Sequence, residues 1–219
     1  MKIEGLLFDM DGVICDSAKY HYLAWKKLAN HLGFDLDIHQ NEHLKGLSRR
    51  ESIDALLKIG DVSFLEDKIE ELMALKNSWY LELIKNMDES DLLPGALDFI
   101  NSAKKNGFKV ALGSSSKNAS AILKYLNIEN LFDAVVDGTH VTNSKPHPEV
   151  FLLGAKMLGV NPKNSIVFED ATSGVEAALN GNFKCVGIGK KGTLHKADIV
   201  VNNLGEITLN QLEEFFQKA

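Results

Sequence analysis

The chain contains only two cysteines and four prolines among its 219 residues. Cys15 and Cys185 have no metal-ligand spacing around them, so we expect neither a zinc site nor a disulfide framework. No apolar run approaches the roughly 20 residues that a membrane-spanning helix requires, so we expect no membrane partner. The sequence does not open with a basic segment followed by an apolar one. We therefore expect no secretory signal and a cytoplasmic location.

An excess of positive charge is also missing. The sequence has 24 Lys and Arg against 30 Asp and Glu, for a formal net charge of -6. This mild acidity argues against nucleic acid as a partner. A hydrophobic content of 45% is ordinary for a globular protein, and the length allows one large or two smaller domains with a well-buried core. We expect a monomer.

A short apolar run, residues 6–8, ends at two carboxylates, Asp9 and Asp11, which Gly12 follows. Alternate residues of a strand point to the same side. Both carboxylates should therefore face one place at the strand's carboxyl end, where ligands bind in open α/β sheets. Two like charges this close raise one pKa or hold a cation between them. The alternative is a simple acidic turn, since Asp and Gly are common turn residues.

Residues 16–90 show the periodicity of helices and almost no strand signal. Ser48 and Glu51 form a capping-box pattern, and Gly60 is a stop signal, so a helix is predicted over residues 48–59. Two other predicted helices run from about residue 20 to residue 33 and over residues 64–87. On the first, one face comprises Tyr20, Leu23, Ala24, Lys27 and Leu28; on the second, one apolar stripe comprises Leu65, Ile69, Leu72, Leu75, Trp79 and Leu83.

After residue 91 strands and helices alternate, which predicts an α/β fold with a doubly wound, Rossmann-like parallel sheet. The predicted strands cover residues 2–8, 108–113, 134–137, 165–168, 185–188 and 199–201, and the predicted helices cover residues 96–105, 117–126, 148–158, 174–180 and 209–216. The first strand belongs with this part of the chain, because alone it has nothing to pair with. We therefore expect an α/β domain of residues 1–15 and 91–219, with residues 16–90 inserted as a helical domain that can cover the acidic pair.

Polar side chains follow several predicted strands. The run Ser114-Ser115-Ser116-Lys117-Asn118 suits a phosphate, although helix capping by serine would explain it equally well. Lys145 lies in a predicted loop, where a lysine is usually just solvated. Glu169 and Asp170 end another strand, and acids before a helix are also ordinary partners of its dipole.

Taken together, these groups indicate phosphoryl transfer. Asp9 and Asp170 offer the hard oxygen ligands that Mg²⁺ prefers, while Ser114 and Lys145 suit a phosphate group. Positioning and charge neutralisation carry most of the catalysis in such reactions. Asp9 is the predicted nucleophile, which forms an aspartyl phosphate, and Asp11 is the predicted general acid and base.

Four ordered motifs, Asp9-Met10-Asp11-Gly12, Ser114, Lys145-Pro146 and Glu169-Asp170, resemble those of the haloacid dehalogenase superfamily. The resemblance spans essentially the whole chain, and the helical insertion is similar to that superfamily's small cap. It implies an Mg²⁺-dependent enzyme with metal ligands from Asp9, Asp11, Glu169 and Asp170. The contribution that it implies for Asp11 is the backbone carbonyl.

Further motifs resemble the β-phosphoglucomutase branch of that superfamily. They are Tyr20-His21 with Trp25, Lys45-Gly46-Leu47-Ser48-Arg49, Glu51-Ser52 and residues 114–118. The resemblance implies that residues 45–47 and Ser52 line a sugar site. It implies that Arg49 binds the phosphate that is not transferred, with help from Lys117 and Asn118. His21 and Lys76 are implied to hold the cap and Asp11 in the closed arrangement. The implied phosphate- and substrate-binding residues are Ser17, His21, Trp25, Lys45, Gly46, Leu47, Arg49, Ser52, Lys76, Ser114, Ser115, Ser116, Lys117, Asn118 and Lys145.

Some positions have other interpretations. Trp25 suits a helical core as well as a sugar platform, and Arg49 beside Arg50 suits a charged surface. Ser17 keeps a hydroxyl where the branch usually has threonine. Cys15, Leu47 and Ser115 also depart from the residues expected there, and Leu47 could shift the sugar preference.

The branch interconverts β-D-glucose 1-phosphate and D-glucose 6-phosphate through an aspartyl phosphate and a bisphosphate, so a small sugar phosphate is the implied partner. A sugar-phosphate phosphatase would share every core motif and pass the phosphoryl group to water. A mutase is favoured because it needs a lid and a second phosphate contact, which the insertion and Arg49 can supply. A receiver-like phospho-aspartate switch fits the insertion poorly, and an inert binder would not need the complete catalytic set.

Overall fold

The centre of the fold is a six-stranded sheet in which the described strands pair in parallel. The computed structural model describes residues 2–44 and 47–218. The strands are β1 (Gly5–Phe8), β2 (Lys109–Gly113), β3 (Ala134–Val136), β4 (Ser165–Glu169), β5 (Lys184–Ile188) and β6 (Ile199–Val201). Their order, β3-β2-β1-β4-β5-β6, confirms the predicted doubly wound α/β class. All four residues of β1 are buried, as expected for a central parallel strand.

Nine α-helices accompany the sheet in the described part of the chain. They are α1 (Ala18–His31), α2 (Ile38–Glu42), α3 (Arg49–Ile59), α4 (Glu66–Ile84), α5 (Ala96–Lys105), α6 (Ala119–Tyr125), α7 (Glu149–Leu158), α8 (Thr172–Asn180) and α9 (Leu209–Lys218). Short 3₁₀ helices cover Glu89–Asp91, Glu129–Leu131, Pro162–Asn164 and Leu204–Glu206. None of the helices described combines the length and apolar character that crossing a membrane requires.

The chain divides into two compact units. Helices α1 to α4 form the helical unit, Ser17–Met87, and the residues before and after it form the α/β unit. In the α/β unit, aromatic packing joins neighbouring strands, with the rings of Phe8 and Phe168 stacked 4.5 Å apart. The helical unit has its own core, to which Trp25 and Ile53 contribute.

The helix from residue 48 follows its predicted signals. Ser48 is the N-cap, its hydroxyl accepts a hydrogen bond from the backbone of Glu51, and the Glu51 carboxylate accepts one from the backbone of Ser48. The helix ends at Gly60. These contacts are local in sequence, so the residue pattern predicts them well.

Two predicted helix faces are wrong in detail. On α4 the buried residues are Ile69, Leu72, Lys76, Tyr80 and Ile84, whereas Leu65 is 85% exposed and Leu75, Trp79 and Leu83 are only half-buried. The buried stripe is rotated relative to the predicted one. It was not predicted because it contains Lys76, and a search for hydrophobic periodicity counts lysine as polar. On α1, Leu23 and Lys27 are exposed, and Trp25 takes a place in the core. Helix α2 was not predicted, and a capping box of Asp37 and Gln40 begins it.

Candidate active site

Asp9 lies at the point where the strand order reverses. It follows β1, which runs between β2 and β4. Phe8 is in register with both Leu112 and Phe168, so Asp9 is level with Gly113 on one side and Glu169 on the other. Ligands bind at this kind of crevice in open parallel sheets.

Lys145 contacts Asp9, Gly113 and Glu169, which lie at the same height in the sheet. Its Nζ lies 2.5 Å from Asp9 Oδ1 and 2.5 Å from Glu169 Oε1, and it donates to the carbonyl of Gly113 at 3.1 Å. The lysine side chain is 7% exposed. Burial alone would lower the pKa of Lys145, but the charges and hydrogen bonds of Asp9 and Glu169 outweigh it and raise that pKa. Lys145 is therefore a permanent cation and not the solvated loop lysine of the alternative interpretation.

Asp11 is positioned by a tight turn rather than by strand alternation, because β1 ends at Phe8. The amide of Gly12 donates to the carbonyl of Cys15 at 3.0 Å. Gly12 has a φ of +75°, and an added Cβ would overlap the Asp170 carboxylate. Only glycine meets both demands, so the Asp-Gly sequence here is a structural requirement of the site.

Three carboxylates form a cluster suited to a metal ion. Oxygen atoms of Asp9, Glu169 and Asp170 all lie within 4.8 Å of one another. Burial of the carboxyl group and the charges of Asp9, Glu169 and Asp11 raise the pKa of Asp170 to about 8. Asp170 is exposed, whereas Asp9 and Glu169 are buried. The cluster has more negative charge than Lys145 can balance, and its donors are hard oxygens, so the residues fit a divalent cation such as Mg²⁺.

The serine loop, residues 114–118, begins where β2 ends, beside the level of Asp9. Ser114 is 2% exposed, and its hydroxyl accepts a hydrogen bond from the amide of Ser116 at 3.1 Å. The hydroxyl of Ser116 in turn accepts from the amide of Asn118 at 3.2 Å. Ser115 and Lys117 are exposed. The predicted phosphate-binding run is therefore an ordered loop at the carboxyl edge of the sheet.

The predicted site residues of the helical unit include a buried cation. Lys76 Nζ lies 3.0 Å from His21 Nδ1 and 4.4 Å from the centre of the Trp25 ring. Burial, then the charge of Arg49, lowers the pKa of Lys76 to about 7. Burial, then the charges of Lys76 and Arg49, holds the pKa of His21 well below its usual range. Trp25 is 4% exposed, which favours its interpretation as a core residue.

The other predicted residues of this unit differ in exposure. Ser17 and Ser52 are buried, and the hydroxyl of Ser52 donates to the carbonyl of Ser48 at 2.9 Å. Leu47 is 41% exposed. Lys45 and Gly46 lie outside the described residues.

Arg49 and Arg50 are adjacent but differ in their partners. Arg50 binds the carboxylates of both Asp54 and Glu66. Arg49 donates to the amide oxygen of Asn77 at 2.8 Å, and within the described ranges it has no carboxylate at ion-pair distance. Arg49 thus carries a positive charge that an anion would balance.

Replacement of Lys76 by methionine should stabilise the protein most at low pH. The pKa of Lys76 is about 7 in the folded protein and about 10.4 when unfolded. Between these values the unfolded state binds more protons, so the penalty of the lysine is complete below pH 7 and fades towards pH 10. We expect a gain of roughly 2–4 kcal/mol in the free energy of unfolding at pH 6.5 and little gain at pH 10. Urea denaturation at both values measures it.

The matched control is Lys58→Met, because Lys58 is exposed on the same unit. It should change stability by no more than about 0.5 kcal/mol at either pH. Equal effects of Lys76→Met at both pH values would contradict the depressed pKa.

Backbone groups and a glycine at the site were not predicted. The carbonyl of Gly113 accepts from Lys145, and the amide of Ala171 donates to Glu169 Oε2 at 3.0 Å. A Cβ on Gly174 would overlap the Glu169 carboxylate. The only sequence signal was the presence of small residues beside the motifs, which is too common to single them out.

Comparisons with known proteins agree with this geometry. The family model of haloacid dehalogenase-like hydrolases matches residues 3–182. A β-phosphoglucomutase of Bacillus subtilis (strain 168) is 38% identical over 99% of this chain and 96% of its own length, and a fructose-1-phosphate phosphatase of Escherichia coli (strain K12) is 33% identical over 84% and 95%. The crystal structure of a Clostridium difficile β-phosphoglucomutase, 42% identical, matches with a TM-score of 0.90 over 99% of this chain and 98% of that chain. With its motifs on one sheet edge, the chain belongs to the haloacid dehalogenase-like hydrolase family.

Proposed function

We propose that the protein is an Mg²⁺-dependent β-phosphoglucomutase, which interconverts β-D-glucose 1-phosphate and D-glucose 6-phosphate. The observation that carries this proposal is the buried contact of Lys145 with Asp9 and Glu169 at the switch point of the sheet. It supports a site that holds a reactive carboxylate beside a fixed cation, as phosphoryl transfer requires. The similarity to two β-phosphoglucomutases supports the choice of substrate.

In the proposed reaction, a carboxylate oxygen of Asp9 attacks the phosphorus atom of a sugar phosphate. The bond between phosphorus and the sugar oxygen breaks, and that oxygen takes a proton from Asp11. In the other half-reaction a sugar hydroxyl gives its proton to Asp11 and attacks the aspartyl phosphate, which restores the carboxylate of Asp9. In the mutase cycle the transfer to the sugar comes first: the 6-hydroxyl of β-D-glucose 1-phosphate takes the phosphoryl group from the aspartyl phosphate, which gives glucose 1,6-bisphosphate. The bisphosphate then binds in its other orientation, Asp9 takes the phosphoryl group from the oxygen at carbon 1, and glucose 6-phosphate leaves.

The carboxylates of Asp9, Glu169 and Asp170 would hold the metal ion, with the backbone carbonyl of Asp11 as a further ligand. A bound Mg²⁺ supplies neutralisation of the negative charge on the phosphoryl group. Lys145 holds the carboxylate of Asp9 in place as the nucleophile, and the hydroxyl of Ser114 is a donor for the phosphate.

The choice of a mutase over a phosphatase depends on the helical unit. It enters the chain shortly after Asp11, between Asp16 and Asp88, and we propose that it acts as a cap that excludes water. Arg49, which lacks a carboxylate partner in the described ranges, is the proposed contact for the phosphate that is not transferred. A sugar-phosphate phosphatase is the second candidate, because the E. coli relative is a fructose-1-phosphate phosphatase.

The test is a coupled assay for glucose 6-phosphate from β-D-glucose 1-phosphate, with release of inorganic phosphate measured in parallel. We expect glucose 6-phosphate to form only when Mg²⁺ and a bisphosphate primer are present. The rate of phosphate release should be well below the rate of glucose 6-phosphate formation. Rapid phosphate release without glucose 6-phosphate would overturn the mutase in favour of the phosphatase. A long-lived phospho-aspartate with neither product would indicate a switch.

Replacement of Arg49 by alanine should separate the two phosphate sites. We expect mutase turnover to fall about a hundredfold, because a charge-assisted phosphate contact of roughly 2–3 kcal/mol is lost. Phosphorylation of Asp9 by acetyl phosphate, which has no second phosphate, should stay within about twofold of the wild type.

Arg50→Ala is the matched control, since Arg50 is occupied by Asp54 and Glu66. It should leave both rates close to those of the wild type. Equal loss of turnover in the two variants, or loss of acetyl phosphate reactivity in Arg49→Ala, would refute the role of Arg49.

A further inference from the structure

The carboxylate of Asp137 connects two segments at the carboxyl edge of the sheet. It follows β3, and its side chain is 6% exposed. Oδ2 accepts a hydrogen bond from the hydroxyl of Ser120, on α6, at 2.9 Å. Oδ1 accepts from the amide of Thr139 at 2.9 Å and from its hydroxyl at 2.6 Å, and His140 Nδ1 lies 2.9 Å away. Asp137 thus ties α6 to the segment after β3.

Backbone contacts join the serine loop to the same segment. The amide of Ser114 donates to the carbonyl of Val136, the last residue of β3, at 2.9 Å. The amide of Gly138 donates to the carbonyl of Ser116 at 3.1 Å. Gly138 approaches the loop so closely that an added Cβ would overlap the carbonyl oxygen of Ser115. The inner end of the loop therefore has its own bond to the sheet, and its outer part is bonded through Ser116 to the turn that begins at Asp137.

Asp137 is held as an anion. Burial by itself would raise the pKa of Asp137, but the hydrogen bonds from Thr139 and Ser120 outweigh burial and lower it. A buried anion with donors on both oxygens rigidifies the groups around it, because removing it leaves several donors unsatisfied.

We propose that Asp137 is a positioning residue that holds the outer part of the serine loop, residues 116–118, in place for the substrate phosphate. The inference rests on the proposed sugar-phosphate function and on the family resemblance, which implies that Lys117 and Asn118 help Arg49 to hold the phosphate that is not transferred. Ser114 has its own backbone bond to β3, and Asp9 follows β1. Loss of Asp137 should therefore weaken substrate binding more than it slows the chemistry.

The test uses Asp137→Asn, which keeps the size of the side chain, and Ser120→Ala, which removes one donor. We expect the KM for β-D-glucose 1-phosphate to rise tenfold or more in Asp137→Asn, because a displaced loop loses contacts that bind the substrate and the transition state equally. The kcat should change less than about threefold, and phosphorylation of Asp9 by acetyl phosphate less than about twofold. Ser120→Ala should shift KM in the same direction by a smaller factor.

Asp133→Asn is the matched control, because Asp133 lies just before the opposite end of β3 and also accepts a backbone hydrogen bond, from Val110 at 2.8 Å. It should leave KM unchanged. The proposal is overturned if Asp137→Asn has the KM of this control. It is equally overturned if KM, kcat and acetyl phosphate reactivity are all impaired by the same factor, since that result indicates a general loss of structure.

The role of Asp137 can be tested even if the proposed mutase function is wrong. If the wild type releases phosphate instead of forming glucose 6-phosphate, the mutase proposal fails, and the same KM comparison is made on the hydrolysis reaction. If no sugar phosphate reacts, amide hydrogen exchange decides. Faster exchange at Ser116 and Gly138 by tenfold or more in Asp137→Asn, but not in Asp133→Asn, supports the tether, and equal exchange in both variants overturns it.

Discussion

Replacement of Lys145 by methionine should destabilise the protein by about 3–5 kcal/mol at pH 7 in the absence of a metal ion. The lysine is the cation between two buried carboxylates, with its Nζ 2.5 Å from Asp9 and 2.5 Å from Glu169. Without it, like charges remain buried and unbalanced. Phosphoryl transfer should also be lost. Urea denaturation with a chelator measures the destabilisation, and Mg²⁺ should recover part of it by occupying the same negative cluster.

The destabilisation caused by Lys145→Met should become smaller at low pH. Burial already raises the pKa of Glu169 despite the opposing charge of Lys145, and removal of the lysine should raise it further. The difference in stability between variant and wild type should therefore shrink as the pH falls and Glu169 takes up a proton. Lys109→Met is the control, because Lys109 donates to the carbonyl of Leu158 and not to a carboxylate. An equal loss of stability in both variants would contradict the proposed role of the bridge.

Replacement of Asp9 by asparagine should reduce turnover by about four orders of magnitude or more, because the variant has no nucleophile for the phosphoryl group. No acid-stable phosphoenzyme should form with acetyl phosphate. The fold should persist, and the pKa of Asp170 should drop below its value of about 8, since Asp9 is one of the charges that raise it. Rate measurements and NMR titration of the variant check these expectations.

Asp11→Asn is the informative comparison for Asp9→Asn. Acetate is a good leaving group that needs no proton, so acetyl phosphate should still phosphorylate Asp9 in this variant. Transfer to and from the sugar should fail, because the sugar oxygen needs a proton donor. If Asp11→Asn blocks both reactions, the two carboxylates do not have the separate roles proposed for them.

Local patterns predicted much of the fold. Helix α3 begins and ends where its capping box and Gly60 predict, because both signals act within a few residues. Helix α5 and strand β6 have their predicted bounds, Ala96–Lys105 and Ile199–Val201. The faces of α1 and α4 were less accurate, since the position of Lys76 in the buried stripe depends on Trp25 and Tyr80, which lie against it.

The candidate site also contains some residues that the sequence predicts and others that it does not. Asp9, Ser114 and Glu169 were predictable because each follows an apolar strand, and the carboxyl ends of parallel strands share one edge. The position of Lys145 was not predictable from its loop, since a loop lysine is usually solvated. Asp137 gave no signal beyond an acid before Gly138, which is an ordinary turn pattern.

The amino-acid sequence by itself determined the alternation of strands and helices, the caps of α3 and the acidic strand end, because these depend on neighbouring residues. Only the tertiary structure decided which of two interpretations holds for Lys145, which meets Asp9 across 136 positions of sequence. It also decided that Lys76 is buried and that the Asp137 carboxylate joins α6 to the segment after β3. Contacts of this kind depend on how loops leave the sheet and on which charges burial brings together, and periodicity does not record either.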